Sequence, residues 1–590
     1  MLYIQKQPAR RRQPQKEELD QHFPNVTPPY LLGQLPKLLA PPLAVYAAKL
    51  GAELWLEIIV SPWLATAAYI LSGPVALTVL PNHCGTIGGI DLLLANSKDI
   101  YPGEPLAIFA RDLGHTFSTR LFFRPRILTA DPENFKTILS TEAKNFEKGA
   151  EFRKIMYPLL GSGLFNADGE IFHRKMTRPF FHRERVSDFD VFDRHAERAM
   201  KQLATRLREG HPVDVADAIL RFTLDDATST MICTLWTPGC PNIFAEAFHE
   251  AQSISATRNR YGEHWPLTEF WHNKLDHPLG IVRGFLDPIL RDAIAKQQET
   301  EKLGLGVEEV NEMGDREAGG GDFVRPSGYA RYHTILRDEI LNITAAGRDT
   351  TAGLITFVAY MLAEHPDVME KLRSEILRVV GPTQRPTFDD FRELKYLRAV
   401  LNGAHIINTR HSAEPDLRVV QKRSVFIPLP FNPRTALVPT ILRSKNGPPI
   451  YVPVGGKILV SQFVMHRRED LWGPDVLKFD PERFLDDRRL RLVSNPFIFL
   501  PFNAGQRICL GQQFAYHEAS FFVVRLLQNF SSIVLAPDAQ PVATLPPASW
   551  KTEDKVGWKA HEKIRPRSHF TMYIEGGLWV RMGEAKEEAA

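Results

Sequence analysis

The sequence predicts a mainly α-helical fold with a small β subdomain. Three long stretches carry apolar residues at three- and four-residue spacing, which is the period of a buried or amphipathic helix. Strand-like runs are few and short. A chain of 590 residues with 44% hydrophobic content is also long enough to bury a large core. We therefore expect one large helical body with a small sheet beside it, preceded by an N-terminal tail.

The N-terminal tail has two parts. Residues 1–57 contain apolar runs and a basic cluster at 10–12, and residues 58–80 carry no charge. At helical rise the second part exceeds the roughly 30 Å hydrocarbon core of a bilayer. Two prolines and a glycine would kink such a helix, so a buried hairpin is the alternative. No signal-peptide cleavage pattern is present. We expect a membrane-associated segment over 1–57 and an uncleaved transmembrane anchor over 58–80.

The remaining residues, 100–590, are expected to form the main domain. Glycine and charge dominate residues 304–328, which have no apolar period and therefore indicate an exposed linker. Helices are predicted over 189–207, 215–235 and 332–363, and strands over 126–130, 450–453, 457–461 and 570–574.

Charge and cysteine content exclude several classes of protein. The 72 basic and 69 acidic residues give a net charge of +3. This near balance does not provide the excess of basic charge that nucleic-acid binding needs. The four cysteines, Cys84, Cys233, Cys240 and Cys509, are too scattered for a disulfide framework and match no zinc pattern. A reducing compartment and a partner other than nucleic acid are expected.

One short motif predicts the chemistry. Residues 502–511 read Phe-Asn-Ala-Gly-Gln-Arg-Ile-Cys-Leu-Gly and precede a helical stretch. A thiolate that binds a metal needs backbone N–H groups aimed at the sulfur, and a helix N-terminus behind it favours the anion. Cys509 lies at such a junction. Gly505 would permit a tight turn and Gly511 a close approach of the helix, since neither has a Cβ. An inert buried cysteine is the alternative.

The pattern Phe-x-x-Gly-x-Arg-x-Cys-x-Gly resembles the signature of the cytochrome P-450 superfamily, and a chance match is on the order of 10⁻⁴. The resemblance implies that family's fold and a haem whose iron is bound by Cys509. It also implies that Phe502 packs near the sulfur and that Arg507 pairs with a haem propionate. Arg174 stands in a stretch similar to the family's propionate-binding helix, although the usual Trp is absent. A thiolate ligand favours O–O cleavage.

Residues 346–351, Ala-Gly-Arg-Asp-Thr-Thr, resemble the family's distal-helix motif. Gly347 and Thr350 share a helix face, where the missing side chain would leave room for dioxygen and the hydroxyl would hydrogen-bond it. Asp349 would relay protons from water. A polar break in a core helix is the alternative, because Thr and Asp often bond locally. Asp349 and Thr350 are thus the candidate catalytic residues.

Stretches 346–352, 431–435 and 501–515 resemble the fungal alkane- and fatty-acid-hydroxylating branch. This implies a monooxygenase that uses O2 to hydroxylate a long-chain alkane or fatty acid. Four apolar residues could either line the substrate pocket or pack in the core: Ile343, Ala346, Pro430 and Phe431.

Electrons and location follow from the same resemblance and from the anchor. No dinucleotide fingerprint is visible, so electrons from NADPH would arrive through a separate NADPH-cytochrome P-450 reductase. A basic surface around Arg507 would suit an acidic partner. The anchor implies contact with membrane lipid at the endoplasmic reticulum, with the catalytic domain facing the cytoplasm.

The sequence departs from the family after residue 402. There the family continues with a Glu-x-x-Arg helix, but residues 403–427 are an anomalous polar insertion without helical period. Glu375 and Arg378 match Glu-x-x-Arg on an earlier helix, which we interpret as accidental. Arg483, in the Pro-Glu-Arg-Phe meander, would lose its buried partner at a cost of about 3–5 kcal/mol. One synonymous coding of 421–428 encodes Glu-Ala-Leu-Arg-Leu-Tyr-Pro in another frame, so we hypothesise a translated intron plus a frameshift.

Two alternative functions stay open. One is a reductase-independent haem-thiolate enzyme that rearranges peroxides. Asp349 and Thr350 argue against it, because that chemistry needs no proton relay. The other is a catalytically dead membrane protein or mis-spliced product. Haem content and reductase-dependent turnover separate the three.

Overall fold

The computed structural model describes residues 101–121, 124–167, 174, 177–181, 189–228, 243–302, 328–406, 432–443, 449–476, 478–553 and 559–585. Within those ranges, no helix is both long and apolar enough to cross a bilayer. The segment 1–57, the anchor 58–80, the linker residues 304–327 and insertion residues 407–427 lie outside them and stay predictions.

Helices make up most of the described chain, as predicted. Helices are present over the predicted 189–207 and 332–363, and the one predicted over 215–235 is described to Thr228. Gly328, predicted to end the linker, instead begins a helix. The helices are α1 Glu104–Leu113, α2 Pro132–Lys136, α3 Ala150–Leu160, α4 Phe189–Arg208, α5 Val215–Thr228, α6 Ile243–Tyr261, α7 Asp276–Lys302, α8 Gly328–Glu364, α9 Pro366–Val379, α10 Asp390–Glu393, α11 Lys395–Ile406, α12 Gln462–Met465, α13 Glu469–Trp472, α14 Leu490–Ser494 and α15 Gln512–Asn529.

The strands are short and form small sheets. The largest has the order β1-β2-β8-β5-β3, in which β2 and β8 run parallel. A second has the order β4-β12-β9, and β6–β7 and β10–β11 are two-stranded. The predicted strand 570–574 begins only at residue 572. The strands are β1 Thr116–Leu121, β2 Arg124–Thr129, β3 Phe146–Glu147, β4 Val213–Asp214, β5 Asn432–Ala436, β6 Thr440–Leu442, β7 Ile450–Val452, β8 Lys457–Val460, β9 Phe530–Leu535, β10 Pro566–Ser568, β11 Met572–Ile574 and β12 Trp579–Glu584.

The long helix α8 forms the centre of the fold. From Thr351 to Leu362 every residue is buried, and α8 packs against α5, α9, α11 and α15. A helix that is apolar on all faces is stable only when neighbours surround it. The second half of α8 is therefore fixed by packing, and it holds the first half in place beside the site described below.

Helix α11 corrects one prediction about residue 403. The helix was expected to stop there, but it continues through Gly403 to Ile406. Both oxygens of Glu375 accept hydrogen bonds from the first turn of α11, from the N–H groups of Tyr396 and Leu397, each at 2.9 Å. Glu375 therefore caps α11, which gives it a structural use independent of any Glu-x-x-Arg motif.

The meander arginine, Arg483, has only a partly exposed carboxylate beside it. Arg483 is buried, and its Nη2 lies 3.4 Å from Oδ2 of Asp475 and 2.7 Å from the Asp475 carbonyl. The Asp475 side chain is 36% exposed, so this contact does not contradict the predicted loss of a buried partner. Nη1 of Arg483 has no hydrogen-bond partner among the described residues. A Cβ at Gly403 would lie 3.1 Å from the Phe479 ring and 3.9 Å from Pro481 Cα, on the side of this meander.

Asp214 joins the start of α5 to the C-terminal part of the chain. Its Oδ1 accepts hydrogen bonds from the N–H groups of Ala216 at 3.0 Å and Leu578 at 2.8 Å. Burial raises the pKa of this carboxyl to about 6, so it is ionised above neutral pH.

The Asp214→Ala variant is expected to lose about 1–2 kcal/mol of the free energy of unfolding at pH 5, because a helix cap and a partner of a buried N–H disappear. The loss should be smaller at pH 7.5, since a pKa raised in the folded state means that ionisation of Asp214 disfavours folding. Urea unfolding followed by circular dichroism measures this loss. Asp217→Ala is the matched control, since the exposed Asp217 only pairs with Arg221 four residues on. Equal unfolding midpoints for the two variants would contradict the assignment.

Candidate active site

The loop before α15 presents the Cys509 side chain at its end. The Cys509 N–H donates to the Phe502 carbonyl at 2.9 Å, which closes the loop across its base. Two residues within it adopt left-handed backbone conformations, Asn503 with φ 64° and Gly505 with φ 62°. The Cys509 side chain is exposed. A thiol is thus held at a fixed place by the backbone around it.

Gly505 is required where this loop touches the π-helical turn Thr137–Thr141. A Cβ at Gly505 would lie 2.0 Å from the Leu139 carbonyl oxygen, far inside van der Waals contact. The positive φ adds a second cost for any residue with a side chain. Gly505 therefore sets how closely the loop approaches the turn.

The helix behind the loop begins at the sulfur. Gly511 is the N-cap residue of α15, and its N–H hydrogen-bonds to Cys509. A Cβ at Gly511 would come within 3.1 Å of the Phe181 ring. The absence of a side chain here lets Phe181 pack against the loop. The arrangement matches the junction that the sequence predicts.

Two predicted cationic residues reach the same loop. Arg174 Nη2 donates to the Ile508 carbonyl at 2.8 Å, and Arg507 Nη2 donates to the Phe146 carbonyl at 2.8 Å. Both therefore lie beside the cysteine. They are placed where anionic groups of a ligand bound at Cys509 could be neutralised.

The protonation balance of Cys509 has opposing causes. Burial by the surrounding protein raises the pKa of the thiol, although the side chain keeps access to solvent. The Gly511 N–H and the charge of Arg174 act in the other direction and lower that pKa. Both stabilising groups favour the thiolate, which is the form that binds metal.

Phe502 packs inward behind the loop. Its ring lies 5.0 Å from the Tyr516 ring, between centroids, and the Tyr516 hydroxyl donates to Asn402 Oδ1 at 2.7 Å. The Arg398 guanidinium covers the Tyr516 ring at 3.7 Å. This stack links the loop to Arg398 and Asn402 of α11, just before residue 403, where the predicted insertion begins.

The first half of α8 has one face that its neighbours do not cover. Four of its half-exposed residues, Ile343, Ala346, Gly347 and Thr350, follow one another at spacings of three, one and three. Residues at such positions share one side of a helix. The Thr350 hydroxyl donates to the Ala346 carbonyl on this face. Two of the predicted pocket liners, Ile343 and Ala346, therefore lie together with the predicted catalytic threonine.

Asp349 lies off that face in a buried hydrogen-bonded group. Gln252 Nε2 donates to its Oδ2 at 2.5 Å, and Arg348 Nη1 donates to its Oδ1 at 2.7 Å. Its side chain is buried together with that of Arg348. Both carboxylate oxygens thus accept hydrogen bonds from buried side chains, and the carboxylate is not part of the open face of α8.

Sequence reasoning missed Gln252, which donates to Asp349. Gln252 belongs to no motif and stands 97 positions from Asp349 along the chain. Only the packing of α6 beside α8 brings it there. Pro430 and Phe431, the other proposed liners, lie outside the described residues.

The residues fit an iron porphyrin. A single thiol at the end of a rigid loop is a suitable axial ligand, and Arg174 and Arg507 beside it suit the propionates. The α15 helix that follows the loop packs against α8, whose open face is apolar apart from Thr350. A flat apolar group with an anionic edge matches this set. These features together define a haem-thiolate protein.

Comparison with known proteins gives the same class. The family model for cytochrome P-450 matches residues 102–403 and 427–556. A cytochrome P-450 monooxygenase of Aspergillus japonicus, himC, is 35% identical over 467 residues, covering 76% of this chain and 77% of its own. Cytochrome P-450 52E1 of Candida apicola is 33% identical, covering 70% and 77%. Cytochrome P-450 52A6 of Candida tropicalis is 31% identical, covering 74% and 81%. The chain belongs to the cytochrome P-450 family, and it is a monooxygenase by that membership.

Replacing Gly505 with Ala is expected to lower the haem bound per protein by about tenfold or more, since a cost of about 1.4 kcal/mol already shifts an equilibrium tenfold. Absorbance of the purified protein and of its extracted haem measures the ratio. Gly455→Ala is the control, because Gly455 also has positive φ, 77°, but a Cβ added there would have no neighbour within 4 Å. Equal haem content in the two variants would mean that the contact with Leu139 does not shape the site.

Proposed function

We propose that this protein hydroxylates a long-chain alkane or fatty acid, with dioxygen as oxidant and electrons from NADPH delivered by a separate reductase. The observation that carries the proposal is the Cys509 thiol held at the end of its loop, with α15, which begins behind that loop, packed against α8. Haem, when bound, supplies the redox chemistry that cleaves dioxygen and inserts one oxygen atom into a C–H bond.

The chain's own residues would bind substrate and handle protons. Gly347 leaves space on the α8 face. The Thr350 hydroxyl beside it, which donates to the Ala346 carbonyl in this structure, would donate to a ligand by turning away from that carbonyl. Asp349, one residue away, is a carboxylate held by two donors, so its position is fixed before any proton moves. We propose that Thr350 orients the oxidant and that Asp349 relays to it a proton taken up from water.

The substrate class is supported by the lining and by resemblance. Ile343 and Ala346 are half-exposed on the same face as Thr350, which favours an apolar ligand. The stretches at 346–352 and 501–515, similar to the alkane- and fatty-acid-hydroxylating branch, both lie at this site. Such a substrate would partition into lipid, in agreement with the anchor proposed over 58–80 and with a location at the endoplasmic reticulum membrane.

Purified protein with a cytochrome P-450 reductase and NADPH is expected to hydroxylate dodecanoic acid, because the half-exposed Ile343 and Ala346 favour an apolar ligand. Product positions are measured by mass spectrometry. The reduced carbon monoxide complex is expected to absorb at longer wavelength than that of histidine-ligated globins, since a thiolate donates more electron density. Cys509→Ser should abolish both signals and Cys233→Ser neither.

The outcomes separate the alternatives. A globin-like carbonyl spectrum would remove the thiolate assignment. A thiolate spectrum with turnover of hydroperoxides, but no dependence on reductase, would favour the peroxide-rearranging enzyme. A purified chain without bound haem would favour the catalytically dead or mis-spliced product.

The insertion at 403–427 is the feature that supports the alternative of a catalytically dead or mis-spliced product. We propose that residues 403–427 derive from a translated intron and a frameshift. The family match stops at 403 and resumes at 427, the limits inferred from the sequence. Among the described residues, Nη1 of Arg483 has no hydrogen-bond partner, as expected if a carboxylate is lacking. Gly403 lies against Phe479 and Pro481 of the segment that carries Arg483.

Replacing residues 403–427 with Glu-Ala-Leu-Arg-Leu-Tyr, directly before Pro428, is expected to raise haem content and the midpoint of thermal unfolding. The new glutamate would pair with Arg483, and such a buried pair contributes about 3–5 kcal/mol relative to a broken one. The control segment carries Ala in place of both the Glu and the Arg. Equal haem content in the two chains, or an uninterrupted transcript encoding 403–427 in an active enzyme, would count against the proposal.

A further inference from the structure

A pair of histidines joins helix α6 to the tip of the β10–β11 hairpin next to Asp349. Nε2 of His569 lies 3.2 Å from Nδ1 of His249, and the two rings meet edge to face at 4.8 Å. His569 is buried, and His249 is half-buried. Neither residue belongs to a motif of the sequence, and neither has a part in the chemistry proposed above.

The hydrogen bonds around His569 determine its tautomer. Its Nδ1 accepts from the N–H groups of Phe570 at 2.7 Å and Thr571 at 3.2 Å. A nitrogen that accepts carries no proton, so neutral His569 has its hydrogen on Nε2 and donates it to His249. Burial, followed by repulsion from His249, Arg348 and Arg260, holds the pKa of His569 well below its usual value. The neutral form is therefore the one present at physiological pH.

The same side of α6 makes further contacts with the hairpin. Arg260 Nη2 donates to the Ser568 carbonyl at 2.8 Å, and the Tyr573 ring meets the His249 ring edge to face at 4.6 Å. Tyr573 also hydrogen-bonds to Ser253. The hairpin is thus held along α6 by polar contacts that require defined orientations.

One residue of α6 connects this contact to the candidate active site. Gln252 stands three positions after His249, and three-residue spacing places side chains on neighbouring parts of one helix face. Its amide donates to Asp349 at 2.5 Å. His249 itself is close enough to Asp349 for that carboxylate to raise its pKa, against the larger lowering by burial. A shift or rotation of α6 would therefore move the donor on Asp349.

We infer that His249 and His569 are positioning residues of the oxygenation site: the neutral pair fixes α6 against the hairpin and thereby holds Gln252 on Asp349. This inference rests on the proposed function. The pair does not act as a proton path, because His569 Nδ1 faces two backbone N–H donors and a relay through it would end there.

Near-isosteric variants of His249 test the inference. Asparagine places its carbonyl oxygen where the imidazole Nδ1 was, so His249→Asn keeps an acceptor for His569. Glutamine is also polar but places its amide at the other nitrogen's position, so His249→Gln loses that acceptor. His272→Leu is the control, since His272 is exposed on the segment that follows α6.

Hydrogen exchange of the haem-loaded proteins gives a readout independent of turnover. The amides of Phe570 and Thr571 are expected to exchange about tenfold faster in His249→Gln, because the loosened hairpin opens more often. In the Asn variant and the control, exchange should match the unmodified protein. Equal exchange in all four proteins overturns the inference.

Coupling of electrons to product gives the second readout. With dodecanoic acid and reductase, His249→Gln is expected to divert a several-fold larger share of NADPH electrons to hydrogen peroxide, with KM little changed, while His249→Asn stays close to the unmodified protein. Faster exchange without a change in coupling overturns the link to Asp349. An unmodified chain that binds haem but forms no reductase-dependent product overturns the proposed function, while the exchange measurement still decides whether the pair holds the hairpin.

Discussion

A thiol held in one orientation by a short loop is the constraint on which the rest of this structure depends. The loop can hold Cys509 only if the backbone passes through two left-handed residues and comes to rest against the carbonyl of Leu139. The helix that begins behind the sulfur supplies an N–H donor, and Arg174 supplies positive charge. Each of these stabilises the thiolate against the burial that opposes it. The large helical core can be understood as the support that keeps this loop and α8 at a fixed separation.

Helix α8 meets two demands that conflict. Its second half is apolar on every side and gains its stability from burial, whereas its first half leaves Ile343, Ala346, Gly347 and Thr350 uncovered. An uncovered face forgoes part of the stabilisation that burial provides, roughly 25 cal/mol for each Å² of apolar surface. The helix remains in place because its buried half anchors it. Asp349 is turned toward α6. Gln252 of that helix donates to one of its oxygens, and the neighbouring Arg348 of α8 donates to the other.

The meander shows how a buried guanidinium obtains its acceptors. Such groups need acceptors, since an unsatisfied charged donor costs several kcal/mol. Arg483 obtains them from Asp475 and from nearby carbonyls, all within eight positions of itself along the chain. Among the described residues its Nη1 has none. The guanidinium is therefore satisfied in part, and by its own segment of the chain.

The sequence by itself determined the helical class, the three long helices, the cysteine loop and the pairing of Gly347 with Thr350. These are carried by periodicity and by motifs in which the interacting residues are close in the chain. Only the tertiary structure decided the partners of Asp349, the new acceptors of Arg483 and the contact of His249 with His569. The contacts of Asp349 and His249 join residues 97 and 320 positions apart, whereas Arg483 and Asp475 are eight positions apart in a largely irregular stretch without helical or strand period. Local patterns record which backbone a segment prefers, whereas side-chain partners between segments are set by how the helices pack, and no spacing rule encodes that.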